Sequence, residues 1–346
     1  MGKKGLDGIL VTHIADVRYL CGFRGSSGIC LLLGGRGYLF TDSRYSEQSA
    51  MEVHGLKTII YGTSIEEAVA GVLEGQNGLS LGFDPETISY AGALVMRRRL
   101  KKYARLISFK SSLALLRARK SLSELAVIRR GIRLAEAAFA EALEKAVQGG
   151  TEHELAAYID IAARKMGAEA PSFETIVAGG KRGALVHARP SRRKLRGATV
   201  IDWGVIYDGY CTDATRSVAF GRVPPEIAKI HRLVLDAQQG ALETIRPGAK
   251  AREVDRAARE LITKAGYGNA FGHGLGHGVG LEVHERPYVG KNSRDLLEAG
   301  MVLTIEPGIY IPGVGGVRVE DMVLVTKDGP EFLTSLPRGL DPADYL

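Results

Sequence analysis

Apolar and polar positions change their period partway along the chain. Before residue 118, short apolar runs predict strands: GILVT from Gly8, GICLLLGG from Gly28 and GYLFT from Gly37. Residues 64–73 and 90–103 instead carry helical spacing. That alternation predicts a small α/β domain with its own core. Residues 111–120 read as a connector. From Ser121 the period settles near 3.6, with Leu125, Ile128, Ile132, Ala135 and Phe139 on one face. Ser121 and Glu124 have the spacing of a capping box, in which each side chain satisfies the other's exposed amide. Gly149-Gly150 closes this helix, Thr151 caps another, and residues 225–244 and 251–265 read as two more. The strands between them end in Gly, Asp or Pro. The expected organisation is therefore a first domain at 1–120 and a second at 121–346, the second an α+β domain with helices packed on antiparallel sheet.

Composition narrows the function classes. At 346 residues the chain exceeds the size at which one core stops growing, about 250–300 residues, which agrees with two domains. No apolar run approaches the ~18 residues of a membrane span, so no membrane partner is expected. Asp7 and Asp16 interrupt the basic N-terminus, which argues against a signal peptide. Three cysteines make no disulfide framework, so a reducing cytoplasm is the expected location. Net charge is +7, and part of the excess is the run Arg97-Arg98-Arg99-Leu100-Lys101-Lys102. This run has helical spacing and no interleaved aromatics, so it reads as a solvated helix face and no nucleic acid is expected. Residues 192–196, also basic, read as a loop entering a strand. Glycine, at 44 residues against about 24 for ordinary usage, concentrates between Gly266 and Gly316, where tight turns or close approach are expected.

The candidate chemistry lies in three places. Residues 199–204 and 210–220 read as strands joined by Asp208-Gly209, a strong two-residue hairpin turn. In that register Asp202 faces Thr215 and Asp213 faces Gly204, which makes the two aspartates diagonal neighbours on one face. Two like charges there need something positive between them, and a metal pair supplies it. The second place is residues 301–307, an apolar strand ending at Glu306, followed by residues 316–321. There Val317 and Val319 share one face, and Arg318 and Glu320 the other. The third is the glycine-spaced run 272–285, with His273, His277 and His284. With His187, these are four of the chain's eight histidines. Carboxylates with an imidazole suit a pair of divalent ions, which together make hydroxide from water near neutral pH.

The set DWG at 202–204, YCTDATR at 210–216, HGLGHGVGLEVHE at 273–285, EPGIY at 306–310 and GVRVED at 316–321 strongly resembles the pita-bread metallopeptidases. Within them it resembles the proline-specific branch, Xaa-Pro aminopeptidase and Xaa-Pro dipeptidase (prolidase). YLCGFRGSSG at 19–28 and LFTDSRYSEQS at 39–49 resemble a creatinase-type N-terminal domain. The resemblance implies a pita-bread catalytic domain, helices on a curved antiparallel sheet, behind a smaller α/β domain. It implies Asp202, Asp213, His277, Glu306 and Glu320 as ligands of two divalent ions, manganese first, with cobalt or zinc as alternatives. Asp213 and Glu320 would bridge both ions. It also implies His187, His273 and His284 as substrate-facing histidines and Tyr310 and Arg318 as supports around the metals. Arg318 is a candidate for a substrate carboxylate as well.

The implied reaction is cleavage between an N-terminal residue and proline. Glu306 would carry the proton, His284 would stabilise the oxyanion, and His187 would assist. The expected activity is that of an Xaa-Pro aminopeptidase acting on proline-containing peptides, with prolidase the alternative and a homodimer implied by the resemblance alone. Methionine aminopeptidase lacks the N-terminal domain, and creatinase lacks the complete ligand set. A non-catalytic binding module on the same fold would have lost ligands.

Overall fold

The structure is a computed structural model that describes residues 5–109 and 113–346. Two compact units divide the chain, Met1–Leu116 and Arg117–Leu346.

The first unit is built on a mixed six-stranded sheet. Its strands run in the order Lys57–Tyr61, Arg36–Asp42, Ile29–Leu33, Gly8–Val11, Leu79–Phe83 and Ala104–Ser108. The three apolar runs form its centre, with antiparallel pairing of Gly8–Val11 to Ile29–Leu33 and of Ile29–Leu33 to Arg36–Asp42. Successive strand residues point to opposite faces. Leu10, Leu31, Leu33 and Phe40 pack with Val69, Met96 and Leu100 of two helices and with Leu73, which caps the first of them, whereas Val11, Cys30 and Leu39 pack with Val17 and Cys21 of a third. The two helices, Ile65–Val72 and Tyr90–Leu100, fall in the expected segments. In the second of them Met96 and Leu100 are buried while Arg97, Arg98 and Arg99 are exposed, so that basic run is a solvated helix face. Part of the expected connector is helical, Leu113–Ala118, and residues 110–112 lie outside the described residues.

In the second unit the long helix Leu122–Ala146 starts at the expected capping box. The Ser121 amide donates to Glu124 Oε2 at 2.7 Å, and the Glu124 amide donates to Ser121 Oγ at 3.3 Å. Thr151 and Glu154 form a second such box at the head of Glu152–Lys165. This helix pair covers one face of a three-stranded antiparallel sheet, Ala214–Phe220, Gly197–Trp203 and Ile176–Gly179. Trp203 is fully buried there, its ring stacked 4.1 Å from Phe139 and its Nε1 donating to the Ala135 carbonyl at 3.0 Å. A second helix pair, Pro225–Leu242 and Ala251–Lys264, packs on Leu303, Ile305, Val317, Val319, Val323 and Val325. These strand residues belong mostly to a five-stranded antiparallel sheet in the order Glu285–Val289, Gly276–Gly278, Val302–Ile305, Asp321–Thr326, Gly329–Phe332. The result is helices over antiparallel sheet in both halves of the unit, which is the α+β architecture expected.

The period-2 alternation leaves the other sheet faces for polar groups. Ile201 and Trp203 are core residues and Asp202 lies between them. Leu303 and Ile305 are core residues, with Thr304 between them and Glu306 next in phase. Among the described residues, no helix is long and apolar enough to cross a membrane.

Candidate metal centre

The hairpin turn forms as its sequence demands. Asp208 and Gly209 both adopt positive φ, 46° and 74°, the backbone of a tight two-residue turn. Asp202 pairs with Thr215, as expected. The same register continues to Tyr207 opposite Tyr210, but the ladder is broken between. Thr212 fills the break, its Oγ1 accepting from the Val205 amide at 2.9 Å. Asp213 lies in this gap, beside the strand that starts at Ala214.

Three further elements converge on it. Gly276–Gly278 is a strand of only three residues with His277 at its centre, and its glycines are required by close approach. A Cβ on Gly276 would lie 2.0 Å from the Thr304 carbonyl oxygen, and one on Gly278 would lie 2.1 Å from that of Arg286. Glu306 follows Val302–Ile305 directly. Glu320 sits between Gly315–Arg318 and Asp321–Thr326, where the Glu320 amide donates to the Thr215 carbonyl at 3.0 Å. Asp213, His277 and Glu320 thereby present ligand atoms within 4.8 Å of one another, and all three are buried. His277 Nε2 is 3.6 Å from Asp213 Oδ2 and 3.4 Å from Glu306 Oε1. Asp202 joins from the adjacent strand, its Oδ2 held by Arg318 Nη2 at 2.5 Å.

Electrostatics follow from this crowding. Four carboxylates, Asp202, Asp213, Glu306 and Glu320, share one cleft with the guanidinium of Arg318. Burial, reinforced by the neighbouring carboxylates, pushes Asp213 and Glu320 well above the usual carboxylate range. Burial pushes Glu306 up to about 8, with Arg318 opposing. His273 and His277 are pressed down to about 4 by burial, and His284 is lowered by the same cause. His277 Nδ1 lies 3.1 Å from the Gly278 carbonyl oxygen, an atom that only accepts. Nδ1 therefore carries the proton and Nε2 turns a lone pair toward the carboxylates. Asp202 Oδ1 is buried without a hydrogen-bond partner. Crowded carboxyl groups that burial drives to keep their protons when no cation is present, an orphaned buried oxygen and an aimed imidazole lone pair make a donor set that fits divalent cations.

The cleft above this floor has a volume of about 1160 Å³. His187, His273 and His284 line it. The His284 ring stands edge-on to His277, centroids 4.2 Å apart, and His273 Nε2 lies 3.0 Å from the Tyr310 hydroxyl. Arg318 donates to that hydroxyl at 2.8 Å and to Thr215 Oγ1 at 3.0 Å. Every residue singled out from the sequence thus lies in the cleft or touches a group that does. The tight three-residue cluster, however, holds only Asp213, His277 and Glu320.

Some residues of the site escaped the sequence reading. Thr215 accepts from Arg318 and donates to Glu320 Oε2 at 2.7 Å, which ties a support to a carboxylate. Its signal was available, since it lies two positions from Asp213 on the same face. Thr304 Oγ1 accepts from the His277 amide at 3.1 Å. Asp255 and Arg259 grip the backbone around His273: Arg259 donates to the carbonyls of Phe271 and His273, and Asp255 accepts from the Leu275 amide. Their i,i+4 spacing on a predicted helix marks the pair as an ion pair, but no local pattern reports its reach to the backbone around His273.

Comparison with known proteins gives a consistent picture. Residues 126–327 match metallopeptidase family M24, and residues 1–119 match the creatinase/prolidase N-terminal domain. An Xaa-Pro dipeptidase of Pyrococcus horikoshii is 36% identical over 349 residues, covering 98% of this chain and 96% of that protein. Among solved structures, Xaa-Pro dipeptidase from Bacillus anthracis superposes with a TM-score of 0.92 at 36% identity, covering 98% of this chain and 96% of that one. X-Pro aminopeptidase from Thermotoga maritima superposes with a TM-score of 0.88 at 34% identity, covering 97% of each chain.

Proposed function

Because the chain belongs to metallopeptidase family M24, with a creatinase/prolidase N-terminal domain, we propose that it hydrolyses the bond between an amino-terminal residue and proline, and that dipeptides are its preferred substrates. The observation that carries this reading is the cleft in which a buried carboxylate–imidazole floor faces three histidines. The preference for dipeptides over the aminopeptidase expected from the sequence is supported by the relatives named Xaa-Pro dipeptidase. The aminopeptidase is the second reading, favoured by a cleft whose volume is larger than the ~300–1,000 Å³ of most small-molecule pockets.

In this reading Asp202, Asp213, His277, Glu306 and Glu320 hold two divalent ions. Manganese is the first choice for an oxygen-rich set, with cobalt or zinc as alternatives. When bound, the ions supply Lewis acidity, polarising the scissile carbonyl and lowering the pKa of water. The chain's own groups do the rest. Glu306 Oε1, 3.4 Å from His277 Nε2, takes the proton from the attacking water and returns it to the proline nitrogen as that bond breaks. His284, exposed to the cleft, donates to the carbonyl oxygen as it becomes negative. Proline's nitrogen carries no N–H in the peptide, so recognition falls on the ring's shape, with His187 and His273 as polar walls. Arg318 is buried and gives its donors to Asp202, Tyr310 and Thr215. That supports its role as a group orienting Asp202 over the role of binding a substrate carboxylate. We extend the reading to a cytoplasmic homodimer; sedimentation would test the dimer and cell fractionation the location.

The test of substrate length is kcat/KM on Ala-Pro against Ala-Pro-Ala with metal-loaded protein. Preference for the dipeptide is expected. Faster cleavage of the tripeptide would make the aminopeptidase the better reading.

A further inference from the structure

Among the described residues, His284 has a ring contact with His277 but no side-chain hydrogen bond that fixes it. Its place in the cleft is therefore set by its own backbone. That backbone is the bend at residues 280–284, between the strands Gly276–Gly278 and Glu285–Val289, and it has no ladder of its own. Two backbone bonds tie the bend, the Cys211 amide donating to the Gly280 carbonyl at 2.7 Å and the Gly280 amide to the Glu282 carbonyl at 3.0 Å. Its side-chain anchor is a largely buried box of charges. Arg117, the first residue of the second unit, donates through Nη2 to Glu282 Oε2 at 2.7 Å and to Glu285 Oε2 at 2.6 Å. Lys120 Nζ donates to the other oxygen, Glu285 Oε1, at 2.7 Å. Arg117, Lys120 and Glu285 are all buried. Glu285 is the next residue after His284, and Glu282 lies two before it. The Glu285 carboxylate also packs directly on the start of the bend, because a Cβ on Gly280 would lie 2.3 Å from Glu285 Oε1.

A buried ion-pair box is a poor source of stability, since well-packed apolar residues of equal volume do as well or better. It is a good source of geometry, because both oxygens of Glu285 are fixed by cations from a different stretch of chain. We propose that Arg117 and Lys120 are positioning residues for His284, acting through Glu285 and Glu282 on the bend that carries it. The kinetic part rests on the hydrolytic role given to His284 above; the structural part does not.

The experiment is a double-mutant cycle. Lys120→Met with Glu285→Gln removes one cation and one anion together and keeps the box neutral. In the otherwise native chain this pair lowers kcat/KM on Ala-Pro by roughly tenfold, with bound metal and Tm close to the parent. In a His284→Ala background the same pair has less than about a twofold further effect. An equal loss in both backgrounds overturns the proposal.

Hydrogen exchange read by mass spectrometry covers the case in which no Xaa-Pro substrate is cleaved at all. Amides 279–285 exchange roughly tenfold faster in the pair variant, while Gly197–Trp203 and Val302–Ile305 keep their protection. Unchanged exchange at 279–285 overturns the proposal whatever the activity. Should the pair variant fail to fold, Glu282→Gln, whose side chain is 37% exposed, removes only the outer arm and gives a smaller change of the same kind; no change in either readout then overturns it.

Discussion

Arg318 grips one oxygen of Asp202, Oδ2, at 2.5 Å, while the other, Oδ1, is buried with no hydrogen-bond partner. One guanidinium thus fixes the carboxylate's orientation and leaves its free oxygen for a cation. Arg318→Met should lower Mn²⁺ affinity by roughly 10–100-fold, measured by titration calorimetry on metal-stripped protein. Arg318→Lys should recover only part of this, because an ammonium cannot hold Asp202, Tyr310 and Thr215 together. Unchanged affinity in the Met variant would remove Arg318 from its assigned role.

Metal removal should change how stability depends on pH. Above about pH 7, His273 and His277, depressed to about 4, are neutral in the folded chain and mostly neutral unfolded, so they add little slope. Glu306, raised to about 8, still holds its proton in the folded metal-free chain, whereas unfolding lets it ionise at its ordinary value of 4.5. The folded state binds more protons, so its stability falls as pH rises toward 8. Metal binding displaces that proton and should flatten the slope. Tm is to be followed by circular dichroism from about pH 7 to about pH 8, with and without Mn²⁺. A metal-free slope no steeper than the loaded one would contradict the charge arrangement.

Glu306→Gln should lower kcat by at least ~10² while peptide affinity changes far less, since the amide cannot accept and return the proton. Near-normal kcat would exclude Glu306 as the proton carrier.

His284→Ala should lower kcat with bound metal intact, and His277→Ala should lose metal. His284 is exposed to the cleft, while His277 Nε2 points into the carboxylates. Elemental analysis of the two variants separates them, and metal loss from His284→Ala would mean that the two roles are exchanged.

The sequence carried the local half of this site and left out the long-range half. The two-residue Asp208-Gly209 turn admits only positive φ, so it set the register that pairs Asp202 with Thr215. Alternation set which face Asp202, Glu306, Arg318 and Glu320 would occupy. What brings Arg318 to Asp202 is the meeting of two sheets across 116 residues of chain, and no periodic signal reports such a contact. The same holds for Arg117 with Glu282 and Glu285. In the first unit the strands Lys57–Tyr61, Leu79–Phe83 and Ala104–Ser108 went unmarked. LSLGF is interrupted by Gly82, and the other two show neither clean alternation nor a long apolar run. Burial on the sheet decides them, and burial is a property of the assembled sheet.

The most direct measurement is a metal titration of Ala-Pro hydrolysis. Protein stripped of metal by chelator, with removal verified by elemental analysis, should show no turnover. Activity should return as Mn²⁺ is added and saturate near two equivalents per chain. Full turnover by verified metal-free protein, or no cleavage of Ala-Pro at any metal loading, would contradict the account.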